Sequence, residues 1–275
     1  MDKLVSVIVP CYNSADCIVI TLDSVAHQTY RSLECIIVDD GSSDNTCQLV
    51  QEYCNKDRRF KLVTQSHQGP SVARNTAIAN SMGFFILPLD SDDLISDTFI
   101  EKAIGCFETD PDVKLVYSKA DEIGGNQSFV KKIPEYQYKD FLFHNCIYNT
   151  AMYRRSDFDA TCGYNPNMKF GLEDWDLWLS LLDENSKVVQ IDQVLFHYRR
   201  SDALSRSHVL GRSKEYRNES LKQIYRNHPD KYADYLDMIV LLKVENDSYR
   251  HRMEKIHSNR VSEALFKLAK KIRLI

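Results

Sequence analysis

The sequence predicts an α/β fold, a mainly parallel sheet flanked by helices, with a helical C-terminal extension. Three observations carry this. Over the first hundred residues, β-branched apolar runs alternate with segments of helical spacing, joined by short links. Each of the first four runs ends in a polar cluster: "CYNS", "DDGSSD", "QSHQG" and "DSDD". From about residue 207 the pattern is helical to the end, with no internal repeat. Parallel sheets bind ligands beyond the carboxyl ends of their strands, where these clusters stand.

"LVSVIVP" (4–10) is β-branched and stops at a proline, so it reads as a buried strand. Residues 14–28 repeat Ile18, Leu22 and Val25 at helical spacing, with Ser14 as the expected N-cap. "LECIIVDD" (33–40) is the second strand, and "GSSDNTCQLVQEYC" opens a helix capped by Ser43 or Asp44. "RFKLVTQ" (59–65) is the third strand. "GPSVARNTAIANS" (69–81) is the third helix, with Pro70 in its first turn. "FFILPLD" (84–90) is the fourth strand. The alternation then fades. Residues 112–123 read as a strand, 124–150 as an aromatic loop region on the acceptor side, 170–183 as an amphipathic helix and 187–200 as one or two strands.

The 275 residues are 43% hydrophobic and 27% charged, enough for a full core. A net charge of −4 gives nucleic-acid binding no global support. Residues 251–275 are the exception: seven Lys/Arg against two Asp/Glu leave −9 on the remainder. Val261, Leu265, Leu268, Ile272 and Ile275 share one helical face there. A basic amphipathic helix suits a membrane surface, and a docking or coiled-coil helix is the equal alternative. Eight cysteines without a CxxC pair read as buried reduced thiols. No leader-like or membrane-spanning run stands in the sequence, so a cytoplasmic location is expected, with peripheral contact at the inner face of the cell membrane through 251–275.

Two acidic sites can carry chemistry. Asp90, Asp92 and Asp93 follow a buried strand, where their charges would repel without a cation. Hard divalent cations such as Mg or Mn prefer carboxylate oxygens and leave positions open to phosphate. One aspartate can hold a ribose while another holds a metal on a diphosphate; capping the next helix through Ser91, Asp92 or Asp93 explains one acid but three poorly. In "GLEDWDLWLSLL", Glu173, Asp174 and Asp176 open a helix. First-turn acids complement the helix dipole, yet one is also suited to deprotonate a sugar hydroxyl. The apolar stripe Leu177, Trp178, Leu181 and Leu182 would hold that base rigid. His197, in "LFHYRR", is either a structural histidine or a completing metal ligand.

These motifs, in this order, resemble the family 2 glycosyltransferases, across roughly residues 1–205. The resemblance implies the Rossmann-like A-type glycosyltransferase fold. It implies an inverting transfer from a nucleotide-diphosphate sugar, with UDP-sugar expected, to a saccharide hydroxyl; a hexosyl or N-acetylhexosaminyl transfer is expected. A lipid-linked acceptor in surface polysaccharide assembly fits the basic tail. Residues 1–205 would then be catalytic, with a nucleotide half to about 110 and an acceptor half after it, and 206–275 the extension. By the resemblance, Pro10, Tyr12 and Asn13 form the first nucleotide-contacting turn. Asp39 recognises the base, Gly69 and Arg74 line the nucleotide pocket, and Asp90 with Ser91 meets the donor. Asp92 holds the divalent metal, Asp174 is the general base and Glu173 its acceptor-side support. Two positions depart from the pattern. His67 stands where the family often has Asn, and "YRRSDALS" carries Arg200 and Ser201 where a histidine is common. His197 from before the tyrosine, or water, is left to complete the metal. Two other classes compete. A sugar nucleotidyltransferase would need a glycine-rich basic loop after the first strand, which "CYNSAD" lacks. A non-catalytic nucleotide-sugar-binding module would not need both acidic sites.

Overall fold

The structure, a computed structural model, describes residues 2–124, 129–130, 133–199 and 213–258. Strand β1 (Val5–Cys11) pairs in parallel with β2 (Leu33–Asp39) on one side and β4 (Phe85–Pro88) on the other, and β2 pairs with β3 (Phe60–Thr64). Every residue of β1 and β2 is buried, as expected of strands covered on both faces. One face packs Val5, Val7 and Val9 with Ile18, Leu22 and Val25 of α1 (Ile18–Ala26) and Val50 of α2 (Thr46–Lys56). Against β1 and β2 also lies α3 (Pro70–Ala79), where buried Ala73 and Ala77 allow close approach. The register sets Cys11 beside Asp39 and Asp39 beside Thr64, so the polar clusters finish at one edge.

The rest of the sheet is mixed rather than parallel. The nine-stranded sheet has the order β3-β2-β1-β4-β8-β6-β9-β5, with β7 beside β6. Between β4 and β6 (Val113–Ile123) sits β8 (Met152–Arg154), antiparallel to both. A single strand β9 (Lys187–Arg199) runs parallel to β6, and the two-residue β5 (Leu94–Ile95) pairs antiparallel to it, Leu94 opposite His197. Strand β7 (Phe129–Val130) is antiparallel to β6. Strands of two and three residues are too short to show an alternation, which is why the sequence pattern misses β5, β7 and β8.

Helix starts shift from the sequence reading. Helix α1 begins at Ile18 after Cys17, and Ser14 closes the turn before it through its carbonyl, which accepts from Cys17 N (3.0 Å) and Ile18 N (2.9 Å). Ser14 is not the cap because its hydroxyl is bonded to Ser91 instead. Helix α4 (Phe99–Thr109) follows β5, and short α5 (Tyr138–Phe141) and α6 (Arg155–Asp159) lie in the region read as loop. Helix α7 (Glu173–Leu181) starts three residues later than the pattern suggests, because Gly171 (φ 111°) and Leu172 (φ 68°) are left-handed. The chain separates into two compact units, Met1–Asn227 and His228–Ile275. The first ends with α8 (Lys214–Asn227); the second contains α9 (Pro229–Ala233) and α10 (Leu236–Ser258). The boundary expected at 205/206 lies outside the described residues, as do Arg200, Ser201 and, of the basic tail, residues 259–275. Among the described residues no helix is long and apolar enough to cross a membrane. All eight cysteines are free; three are buried, four half-buried, and Cys162 is exposed, so burial does not extend to all of them.

Far from the clustered strand ends, Gly83 lies where a side chain has no room. A Cβ there would meet Ser6 N at 2.5 Å and Phe85 O at 2.8 Å. Ser6 in turn donates to buried Glu34, which also accepts from Lys61 and the Met82 backbone.

Candidate functional site

The turn after β1 is held in an uncommon backbone conformation. Asn13 has φ 50°, its N–H donates to Ser42 Oγ (2.9 Å) and its Oδ1 accepts from Ser43 N (2.8 Å). Positive φ suits asparagine better than most residues, and the "SS" of "DDGSSD" supplies the partners. Pro10 is buried inside β1, while Tyr12 is 47% exposed and rests on His67, centroids 4.2 Å apart. The two rings make a ledge between the ends of β1 and β3.

Asp39 and Asp40 divide their work because successive residues leaving a strand face opposite ways. Asp40 is saturated. It accepts from Gln65 Nε2 (2.7 Å), Gln68 N (3.0 Å) and Gly69 N (2.8 Å), and its Oδ2 lies 2.9 Å from His67 Nδ1. It therefore builds the 65–69 loop. Gly69 (φ 90°) turns that loop into α3 in a conformation costly to other residues. Asp39 is 4% exposed, and its Oδ1 accepts from the Ser42 backbone and hydroxyl. Its Oδ2 has no hydrogen bond among the described residues.

The "DSDD" acids also separate by partner. Asp90 accepts from Arg74 Nη2 (2.5 Å) and Asn149 Nδ2 (3.1 Å). Ser91 anchors the turn to α1: its hydroxyl meets Ser14 Oγ (2.8 Å) and its carbonyl accepts from Thr21 Oγ1 (2.9 Å). Buried Asp93 accepts from Arg199 N (2.9 Å), and Arg199 Nε donates to the Asp92 carbonyl (3.1 Å). The half-buried Asp92 carboxylate has no hydrogen bond among the described residues. Burial, and then the neighbouring Asp90 charge, push its pKa up to about 6. A carboxylate so placed fits a divalent cation, which would favour its ionised form. Among the described residues no three His, Cys, Asp or Glu side chains form a metal cluster, so a cation there would draw its remaining oxygens from water or a bound phosphate.

His197 has both ring nitrogens engaged, Nδ1 with Asp121 Oδ1 (2.7 Å) and Nε2 with Ser96 Oγ (2.8 Å). It ties β9 to β6 and to the residue after β5. Ligating a metal would require breaking one of these contacts.

Arg74 joins the two acidic sites. It is 4% exposed, and besides Asp90 it donates through Nη1 to Glu173 Oε1 (2.9 Å). Burial opposes its charge, but Asp90 and then Glu173 keep its pKa well above the ordinary arginine value. Its guanidinium lies 5.3 Å from the Tyr164 ring centre. Beside Glu173, half-buried Asp174 opens α7. Its Oδ1 accepts from Trp175 N (2.8 Å) and its Oδ2 from Asn145 Nδ2 (3.3 Å). Burial, and then the Glu173 charge, push the Asp174 pKa up to about 6, near the value suited to a general base. The helix behind it is fixed: Leu177, Trp178 and Leu182 are buried, and Trp175 Nε1 donates to Phe141 O (3.0 Å). Leu172, at its left-handed position, stores strain of order 1–3 kcal/mol where the two acids begin.

The structure thus brings Arg74, Asp90, Glu173 and Asp174 together and places Tyr12, Asn13 and Asp39 at the carboxyl ends of β1 and β2. Sequence reasoning missed Asn145 and Asn149, which donate to Asp174 and Asp90, and Tyr164, whose ring lies beside Arg74; all three come from a stretch without helical or strand periodicity. Asn75, two hydrogen bonds from Tyr164 (2.7 and 2.9 Å), was also missed, although it follows Arg74 in "ARN".

Known proteins resemble the chain in sequence and in fold. Escherichia coli chondroitin synthase is 29% identical over 181 residues, which are 65% of this chain and 26% of that protein. The chain therefore spans about a quarter of that relative's length. S. aureus TarS 1-349 in complex with UDP-GlcNAc superimposes with a TM-score of 0.63 at 20% identity, over 82% of this chain and 72% of that one. The mannosyltransferase PcManGT from Pyrobaculum calidifontis, in complex with GDP-Man and Mn2+, gives 0.66 at 17% identity, over 100% and 81%. At such identities the two structures speak for the fold alone, here that of A-type glycosyltransferases. The family model of glycosyl transferase family 2 matches residues 6–161, more than half the chain, and the chain belongs to that family.

Proposed function

We propose that the protein is an inverting glycosyltransferase that moves a sugar from a UDP-sugar to a hydroxyl of a saccharide acceptor. The observation that carries this is the Asp90–Arg74–Glu173 bridge, which sets Asp174, with its pKa near 6, beside the donor-side carboxylates. On the donor side, the Tyr12–His67 ledge suits a stacked base, and the free Asp39 Oδ2 suits a base N–H. Asp90 meets the ribose, with Pro10, Asn13, Gly69 and Ser91 shaping the turns around it. Asp92 would hold Mn or Mg, with open positions for the diphosphate. That cation, when bound, supplies positive charge against the leaving group.

Asp174 accepts the proton of the acceptor hydroxyl as its oxygen attacks the anomeric carbon. The bond to the diphosphate oxygen breaks on the opposite side, UDP departs and configuration inverts. Glu173 acts by holding Arg74. Residues 1–205 are read as the catalytic domain and 206–275 as its extension. A lipid-linked acceptor in surface polysaccharide assembly and peripheral contact with the inner face of the cell membrane through 251–275 complete the reading. A thermal-shift screen of nucleotide-sugars with Mn2+ tests it, since a specific ligand stabilises in proportion to its affinity. A UDP-sugar should raise Tm only with metal and be slowly hydrolysed to UDP. Absence of both for every nucleotide-sugar would contradict the proposal.

A further inference from the structure

Two exposed aromatic rings meet at the approach to α7. Phe170 and Tyr216 are 40% and 37% exposed, and their rings lie parallel, 5° apart in angle with centroids at 4.5 Å. Phe170 ends the loop that delivers Glu173 and Asp174. Tyr216 stands in the first turn of α8. A single exposed ring needs no explanation. Here two segments 46 positions apart in the sequence bring two rings into register and leave both in solvent.

The scaffold under the rings is fixed. Asn75 holds Tyr164, Met168 is 2% exposed, and Asn227 at the end of α8 donates to Asp176 Oδ1 (2.7 Å) in the first turn of α7. The loop is thus tied to α3 through Asn75, and α8 is tied through Asn227 to the helix that carries Asp174. Gly171 and Leu172, both left-handed, turn the chain sharply between the Phe170 ring and the two acids.

A pyranose has at least one face of axial C–H groups and a rim of hydroxyls. Flat aromatic surface in water suits that face, while the rim keeps its hydrogen bonds to solvent. We infer that the Phe170–Tyr216 stack forms a platform for the acceptor, the outer face of one ring lying against a pyranose ring of the saccharide whose hydroxyl Asp174 deprotonates and the other ring holding the first in place. The inference rests on the transferase reading above and names the substrate-side surface of that same site.

The test uses the full chain and saturation-transfer NMR with three probes: methyl β-D-glucopyranoside, methyl β-D-galactopyranoside and methyl N-acetyl-β-D-glucosaminide. The wild type should transfer saturation to the ring protons of at least one. Phe170→Ala and Tyr216→Ala, on separate elements, should each weaken that binding about three- to tenfold, the scale of an aromatic contact. Tyr216→Phe should retain it, and UDP binding and donor hydrolysis should be unchanged in all three. No transfer to any probe in the wild type, or wild-type binding in both alanine variants, overturns the platform. Loss of UDP-sugar binding or hydrolysis in the wild type is a separate result that counts against the transferase reading.

Discussion

Replacing Arg74 by methionine removes the cation that bridges Asp90 and Glu173 while keeping most of the side-chain volume. At an effective dielectric of about 20, two charges 4 Å apart attract by about 4 kcal/mol. The Glu173 side chain is 9% exposed, so most of that loss falls on its pairing with Arg74. Asp90 is 37% exposed, and its share is discounted toward the ~0–1 kcal/mol of a surface pair. Breaking a buried ion pair costs about 3–5 kcal/mol, because the remaining charge is left uncompensated. Arg74→Met should therefore lower stability in urea unfolding by about 3–5 kcal/mol, and Tm by roughly 10 °C for a unit of this size. Arg74→Met with Glu173→Gln should recover about 2 kcal/mol of the single variant's loss, since the buried side chain is then neutral. A cost under about 1 kcal/mol, or a double variant no better than the single one, would refute the bridge as the link between the two acidic sites.

Other expectations follow from the same geometry. Asp174 has its folded-state pKa raised to about 6, above the ~3.9 of an unfolded chain. The acidic limb of kcat/KM should therefore have a midpoint near pH 6, and a limb near 4 would contradict that environment. The same shift makes Asp174 favour the folded state most fully below pH ~4, a contribution lost as pH rises through 6. Asp174→Asn should accordingly be more stable than wild type at pH 7.5, by up to about 3 kcal/mol, and the difference should vanish below pH 4. Calorimetric titration of UDP with Asp92→Ala should lose the increment that Mn2+ adds, whereas His197→Ala should lower Tm and leave that increment intact. Gly83→Ala should cost about 1–3 kcal/mol by forcing Ser6 aside, with UDP affinity of the folded protein unchanged.

The first half of the fold was legible because β1, β2 and β4 are fully buried, largely apolar runs, and each helix has its own periodicity. The acids Asp39, Asp90 and Asp92 stand out in sequence because charge that ends a buried run calls for a partner, and Asp174 stands out at the head of an apolar helix. How each acid is partnered was not legible. Arg74 reaches Glu173 across 99 positions, and only folding shows that Asp40 is saturated while Asp39 Oδ2 is free. Asn145, Asn149 and Tyr164 sit in a stretch without periodicity, where residue type alone gives no sign of position. His197 had the right chemistry for a ligand, but Asp121 and Ser96, which occupy its nitrogens, lie 76 and 101 positions away.

In the proposed reaction Asp174 takes the proton from the acceptor hydroxyl. The most direct test of this step compares UDP-sugar affinity with transfer to acceptor in Asp174→Asn, measured at pH 7.5 with Mn2+. The amide keeps the shape and a carbonyl oxygen able to accept from Trp175 N, and removes the basic oxygens. Donor affinity should stay within about twofold while transfer falls about 10²- to 10⁴-fold, the scale of a lost general base. Near-normal turnover in Asp174→Asn would contradict the account.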